Sequence, residues 1–165
     1  MPTAIASSGE TVTIETPDGP ERFEFLRQQR GKKPACLADY IASADDYLGL
    51  FWVTAGIGLD ELVDAYEAQG DTYSALIAKA WADRFAESLA EWLHREVRTT
   101  HWGFVADETL SVDELLAERY QGIRPAPGYP ACPDHRHKRT LFRLLEAERI
   151  GAGLSESCAM TPAAS

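Results

Sequence analysis

The sequence predicts an α+β fold: a small, mainly antiparallel sheet that begins with a β-hairpin, covered by helices that include one long helix at about 72–98. Three observations carry that expectation. Thr11–Thr16 and Glu21–Phe25 both alternate polar and apolar residues around Pro17-Asp18-Gly19-Pro20, the pattern of two strands joined by a tight turn. Apolar residues recur at helical spacing from Thr72 onward. Tyr47–Thr54 is an unbroken apolar run rich in aromatic and β-branched residues, which reads as a central strand covered on both faces.

Composition narrows the possibilities. At 165 residues, 45% apolar and 25% charged, the chain suits one folded domain with a real core. Residues 1–10 read as a disordered N-terminus and 11–165 as a single domain. A net charge of −10 argues against nucleic acid or an anionic membrane as partner, because both reward clustered Lys and Arg. Three widely spaced cysteines, Cys36, Cys132 and Cys158, suit reduced thiols better than a disulfide framework. No apolar run approaches the roughly 20 residues a membrane span needs. Met1–Gly9 lacks the basic and apolar regions of a signal peptide. The expected location is the cytoplasm.

In chain order, the hairpin should bury Val12, Ile14, Phe23 and Phe25, and Gln28–Pro34 is a basic linker. Leu37–Ala42 reads as a short helix. Gly56 and Gly58 open a turn after the Tyr47 run, wide enough in principle to admit a ligand. Leu59–Gln69 is helical and Gly70 stops it. Asp71 is the expected N-cap of the long helix, whose buried arc would hold Ile77, Trp81, Phe85, Leu89, Trp92 and Leu93. At about 100° per residue, Asp83, Glu87 and His94 fall within about 40° of one another on the other side. Leu76, Ala80 and Ala90 share that stripe, so it reads as half-buried with two carboxylates and an imidazole pointing inward. The alternative is a solvated face bearing helix-stabilising pairs.

Trp102 and Phe104 read as core residues. Ser111-Val112-Asp113-Glu114 is a capping box that opens a short helix to about Tyr120. Asp134 should cap a helix through about Arg149 that buries Leu141, Leu144, Leu145 and Ile150. Leu154–Met160 should enter the sheet as a strand.

Between those helices lies Arg124-Pro125-Ala126-Pro127-Gly128-Tyr129-Pro130-Ala131-Cys132-Pro133, which holds four of the nine prolines. Each proline fixes φ, lacks an N–H and pushes its predecessor toward extended geometry, so the segment is a stiff loop. Chemically it offers a guanidinium fork for a carboxylate, carbonyls for an amino group, a glycine that allows close approach and an aromatic ring. Those are the needs of an amino-acid-like ligand with extra positive charge. The plainer reading is a rigid turn between two helices.

This decapeptide resembles the signature of the S-adenosylmethionine-binding activation domain of cobalamin-dependent methionine synthase. The resemblance extends through Asp39-Tyr40-Ile41, Asp46-Tyr47-Leu48-Gly49, Val53-Thr54-Ala55-Gly56, Lys79-Ala80-Trp81-Ala82-Asp83-Arg84, Leu93-His94 and Trp102-Gly103. It continues through His135, Thr140-Leu141-Phe142 and Ser155-Glu156-Ser157, and so covers roughly 36–165. It implies that Arg124, Ala126, Gly128, Tyr129 and Glu87 bind S-adenosylmethionine and that Asp83 faces a partner domain carrying cobalamin. It also implies a flavodoxin-type reductant, methyl transfer to corrinoid cobalt, and a part in a homocysteine S-methyltransferase of methionine biosynthesis. No side chain of this chain is expected to be catalytic and no metal is expected. The family's N-terminal half and its C-terminal aromatic segment have no counterpart in 11–165.

Two rival readings remain at this stage. One is a non-catalytic interaction module that docks on a cobalamin-binding protein. The other is a zinc-binding module, from the C-x2-H-x-H spacing of Cys132, His135 and His137, although zinc usually takes two separated ligand pairs and no second pair is evident.

Overall fold

In a computed structural model, residues 5–29, 32 and 34–163 are described. The α+β class holds, with two antiparallel sheets and a long helix. The chain divides into two compact units. The first takes the residues up to Phe51, Pro125–Ala147 and Glu156–Cys158; the second takes Trp52–Arg124, Glu148–Ser155 and Ala159–Ser165.

In the first unit the hairpin forms as its alternation dictates: β2 (Thr11–Thr16) and β3 (Gly19–Glu24) pair antiparallel, with Val12 opposite Phe23. Gly19 turns the chain at φ 113°, a region open to glycine without strain. Residues 5–8, expected to be disordered, form β1 (Ile5–Ser8) on the other edge of β2, and residues 1–4 lie outside the described residues. The gain is backbone hydrogen bonding along β2, reinforced by Ser7, whose hydroxyl donates to the Ile41 carbonyl at 2.8 Å. Val12, Ile14 and Phe23 are buried with Cys36 and Ala38, and Phe25, Ile41, Leu50, Leu141 and Leu144 pack against them. The expected helix at Leu37 is a single 3-10 turn, Leu37–Tyr40. The Asp39 carboxylate accepts from the Cys36 N–H and takes both Arg27 N–H groups at 2.7 Å.

Helix α4 (His137–Leu144) closes this unit and is shorter than its periodicity suggests. Glu146 at φ 49° breaks the helical path, and a separate 3-10 turn (Ala147–Ile150) follows, with Ile150 half exposed rather than buried. Asp134 does not cap α4 directly. Its carboxylate accepts from the Arg136 backbone N–H and side chain, which shapes the entry turn.

The second unit is built on α1 (Leu59–Ala68) packed along α2 (Thr72–Glu96). Gly70, at φ 75°, separates them, and Asp71 caps α2 by accepting from the Ser74 N–H at 2.9 Å. A π turn, Val97–His101, extends α2 by five residues. The buried face of α2 is the reverse of the expected one. Ala75, Ala82, Ala86, Ala90 and His94 are buried, whereas Trp81, Phe85 and Trp92 are more than half exposed. Small side chains let another segment approach the helix closely, and the large ones are left on the far side. Trp102 and Phe104, expected in the core, are also exposed. Helix α3 (Val112–Leu116) starts at the Ser111–Glu114 capping box and ends before Glu118, which sits at φ 53°.

Two strand expectations fail. The Tyr47–Thr54 run belongs to neither sheet, and Tyr47 is 56% exposed. Asp46 takes the Tyr47 N–H, and Thr54 donates from its hydroxyl to the Pro162 and Ala163 carbonyls. Gly56 completes this contact. A Cβ there would stand 2.7 Å from the Ala163 nitrogen, so the glycine admits backbone rather than a ligand. The second failure is the tail. Instead of joining the first sheet, β4 (Gly153–Leu154) and β5 (Met160–Thr161) pair with each other as a separate ribbon.

Candidate functional site

The proline segment folds as a hydrogen-bonded crook. The Gly128 N–H donates to the Cys132 carbonyl at 2.7 Å, the Cys132 N–H to the Tyr129 carbonyl at 2.9 Å, and the Tyr129 N–H to the Ala126 carbonyl at 3.3 Å. With proline nitrogens unable to donate, these few amides fix the loop. Gly128 has φ 105° and carries the His135 imidazole where a Cβ would stand. Its missing side chain is therefore used by His135, whatever else approaches. Tyr129 holds its ring 64% exposed, and Ala126 is half-buried with a carbonyl that has a lone pair to spare.

The residues of the C-x2-H-x-H spacing are used separately. Cys132 is buried, and burial, helped by the Asp134 charge, pushes its thiol up to about 11. His135 lies on Gly128. His137 packs 5.5 Å from the Phe23 ring and 5.4 Å from the Phe25 ring, with Nε2 3.1 Å from the Glu24 carbonyl. Among the described residues no three His, Cys, Asp or Glu side chains are grouped to hold a metal ion, so the zinc reading has no donor set here.

Arg124, Glu87 and Asp83 belong to the second unit. Arg124 is half-buried, and its Nη2 donates to Glu91 Oε2 at 2.6 Å. Its Nε and Glu91 Oε1 are buried without a partner among the described residues. The pair thus keeps unspent donor and acceptor capacity in a partly desolvated place, where an unmade hydrogen bond costs about 1–3 kcal/mol. Glu87 is exposed and pairs with Arg84 at 2.7 Å, and Asp83 is exposed as well. His94 is only 6% exposed. The expected inward trio of Asp83, Glu87 and His94 therefore does not form: the two carboxylates face solvent and only the imidazole is buried, because the buried stripe drifts around the helix with its four-residue spacing.

Around His94 lies a polar cluster that the sequence did not announce. Arg98 is fully buried and forks onto Glu108, with Nε and Nη2 each 2.7 Å from a carboxylate oxygen. Tyr120 lies 4.2 Å beneath the Arg98 guanidinium, and its ring meets the His94 ring edge-on at 5.0 Å. Burial, then the positive charges of Arg98 and Arg124, hold the His94 imidazole down to about 4, so it is neutral at pH 7. Glu91, one turn beyond Glu87, was also missed. Its signal is a carboxylate at i+4 from another on a helix that otherwise buries alanine. An open depression of about 240 Å³ is lined by Val105, Glu108, Thr109, Leu110, Arg119, Tyr120 and Gln121, none of them an expected ligand residue.

Comparison with known proteins adds two findings. Residues 4–165 match the family described as vitamin B12 dependent methionine synthase, activation domain. The fold is similar to a crystal structure of the MetH reactivation domain bound to AdoHcy, with 44% identity and a TM-score of 0.90. The match covers 98% of this chain and 54% of that one, so this chain spans about half the length of its solved relative.

Proposed function

The chain belongs to the activation-domain family of vitamin B12 dependent methionine synthase, and on that premise we propose that it binds S-adenosylmethionine and supports reductive methylation of cobalamin, restoring methionine synthase. AdoHcy is what remains of that ligand once its methyl has left, and a relative 44% identical binds it. The observation that carries the reading is Arg124: a half-buried guanidinium, held from one side by Glu91, with its Nε unpaired among the described residues.

In this reading Arg124 takes the ligand carboxylate in a charge-assisted pair worth roughly 1.5–3 kcal/mol. The Ala126 carbonyl accepts from an amino group of the ligand. The Tyr129 ring lies against the ligand where Gly128 bends the chain, and Glu87 adds negative potential for a cationic sulfonium. Asp83 faces the cobalamin-carrying domain. When bound on its own domain and reduced by a flavodoxin-type partner in the cytoplasm, the corrin cobalt supplies the methyl acceptor. This chain's task is to hold the methyl group in line and keep water away, which is positioning rather than covalent chemistry.

Titration calorimetry with S-adenosylmethionine tests this. The expected result is binding by the wild type and a loss of about 10- to 150-fold in Arg124→Ala. No heat from the wild type overturns the reading and leaves a module that only docks on a cobalamin-binding protein.

A further inference from the structure

Arg124 and Glu91 come from distant stretches of the second unit, 33 residues apart, and meet at their tips. Arg124 Nη2 donates to Glu91 Oε2 at 2.6 Å, while Arg124 Nε and Glu91 Oε1 are buried without partners among the described residues. The same unit shows the two-armed alternative: Arg98 sets both Nε and Nη2 on Glu108 at 2.7 Å. Glu91 therefore grips its guanidinium by one arm and leaves the Nε edge unclaimed.

An arginine side chain carries about 2 kcal/mol of rotamer entropy, and a ligand that had to freeze it would lose that from its own binding. Glu91 can do the freezing beforehand, because its backbone is held in the regular helix α2. One of the five guanidinium N–H groups is used this way, so a carboxylate can bind without displacing Glu91. His94, one turn on from Glu91, is kept neutral in part by the Arg124 charge, so it neither repels the guanidinium nor competes for Glu91. We propose that Glu91 is the positioning residue of this site: it touches Arg124 rather than the ligand, and it sets the guanidinium so that the free edge meets the ligand's carboxylate. The inference rests on the reading of Arg124 as the carboxylate clamp and adds the residue that aims the clamp. The opposite role, a latch that shuts the ligand out, would call for a two-armed pair of the Arg98–Glu108 kind, and this pair is half made.

Titration calorimetry with AdoHcy decides it, across the wild type, Glu91→Ala, Glu91→Gln, Arg124→Ala and the variant carrying both Glu91→Ala and Arg124→Ala. Glu91→Ala is expected to raise Kd about 3- to 10-fold, the size of one partly exposed pair. Glu91→Gln, which keeps an oxygen for Nη2, should stay within about twofold of the wild type. In the Arg124→Ala background, removing Glu91 should weaken binding no further, a result that a merely structural role for Glu91 would not give. The inference is overturned if Glu91→Ala leaves Kd unchanged or lowers it, if Glu91→Gln is as weak as Glu91→Ala, or if the Glu91→Ala loss persists without Arg124. A wild type that does not bind AdoHcy, or an Arg124→Ala variant that binds as well as the wild type, instead overturns the ligand reading itself and removes the clamp that Glu91 would aim.

Discussion

Two ion pairs in the second unit have the same chemistry and opposite circumstances. Arg98–Glu108 is bidentate, with both side chains almost wholly buried, a tyrosine ring beneath and a neutral imidazole beside it. Arg124–Glu91 makes one hydrogen bond, leaves about a quarter of each side chain in solvent and keeps unpaired polar atoms on both partners. The closed pair also leaves one polar atom, Arg98 Nη1, without a partner among the described residues, but it is sealed from solvent and serves the fold. An open pair, partly desolvated yet within reach of solvent, serves the fold poorly and is suited to recognition. Burial, rather than charge, distinguishes the two roles.

The largest effect should come from opening the closed pair. Glu108→Ala leaves the Arg98 charge buried alone and is expected to cost about 3–5 kcal/mol in urea unfolding. Replacing both partners, Arg98→Met with Glu108→Leu, should recover most of that loss. If the single variant costs less than about 1 kcal/mol, the two pairs are not different in kind.

Next comes acid. The imidazole of His94 is held below its ordinary 6.5, to about 4, so between those values the unfolded chain binds a proton that the folded chain does not. Stability should fall as pH drops from about 6.5 to about 4, and His94→Leu should flatten that stretch of the curve. Glu108, its carboxyl lowered first by the Arg98 hydrogen bonds, has its stabilising effect above its unfolded value and loses it as pH falls further. Denaturation midpoints measured across pH 3–7 check both signs.

The open pair should matter less to the fold. Glu91→Ala is expected to change stability by about 1 kcal/mol or less, because solvent screens a pair with this exposure. At the bottom of the scale, Arg84→Ala removes the exposed partner of Glu87 and should shift the melting midpoint by no more than about 0.5 kcal/mol equivalent. A ranking that ignored burial would break the contrast; a steady decline in this order sharpens it.

The same distinction explains what could be seen in the sequence. The hairpin, both caps at Asp71 and Ser111, and the stop at Gly70 were legible because each is a local bargain among neighbouring residues. The proline crook was legible because proline constrains its own backbone. Which face of α2 is buried was not, because hydrophobicity assigns the large side chains inward while the close approach here is made by alanine. The Tyr47 run misled for a related reason: an apolar composition says that a segment avoids water, not that it finds a strand to pair with. The Arg98–Glu108 fork joins residues ten apart across a π turn, a spacing with no periodic signature. Of the expected ligand residues, Ala126, Gly128 and Tyr129 share one turn as the decapeptide implied, and Arg124 keeps a companion, Glu91, that no pattern named.

The thiol of Cys132 gives this molecule a built-in clock. With its ionisation displaced to about 11, roughly one thiol in a thousand is charged at pH 8, and the sulfur is shielded besides. Cys36 and Cys158 are buried too. An alkylating reagent should therefore reach the Cys132 sulfur only when the crook swings open, and the pace of labelling at that one cysteine, read by peptide mapping, counts those openings.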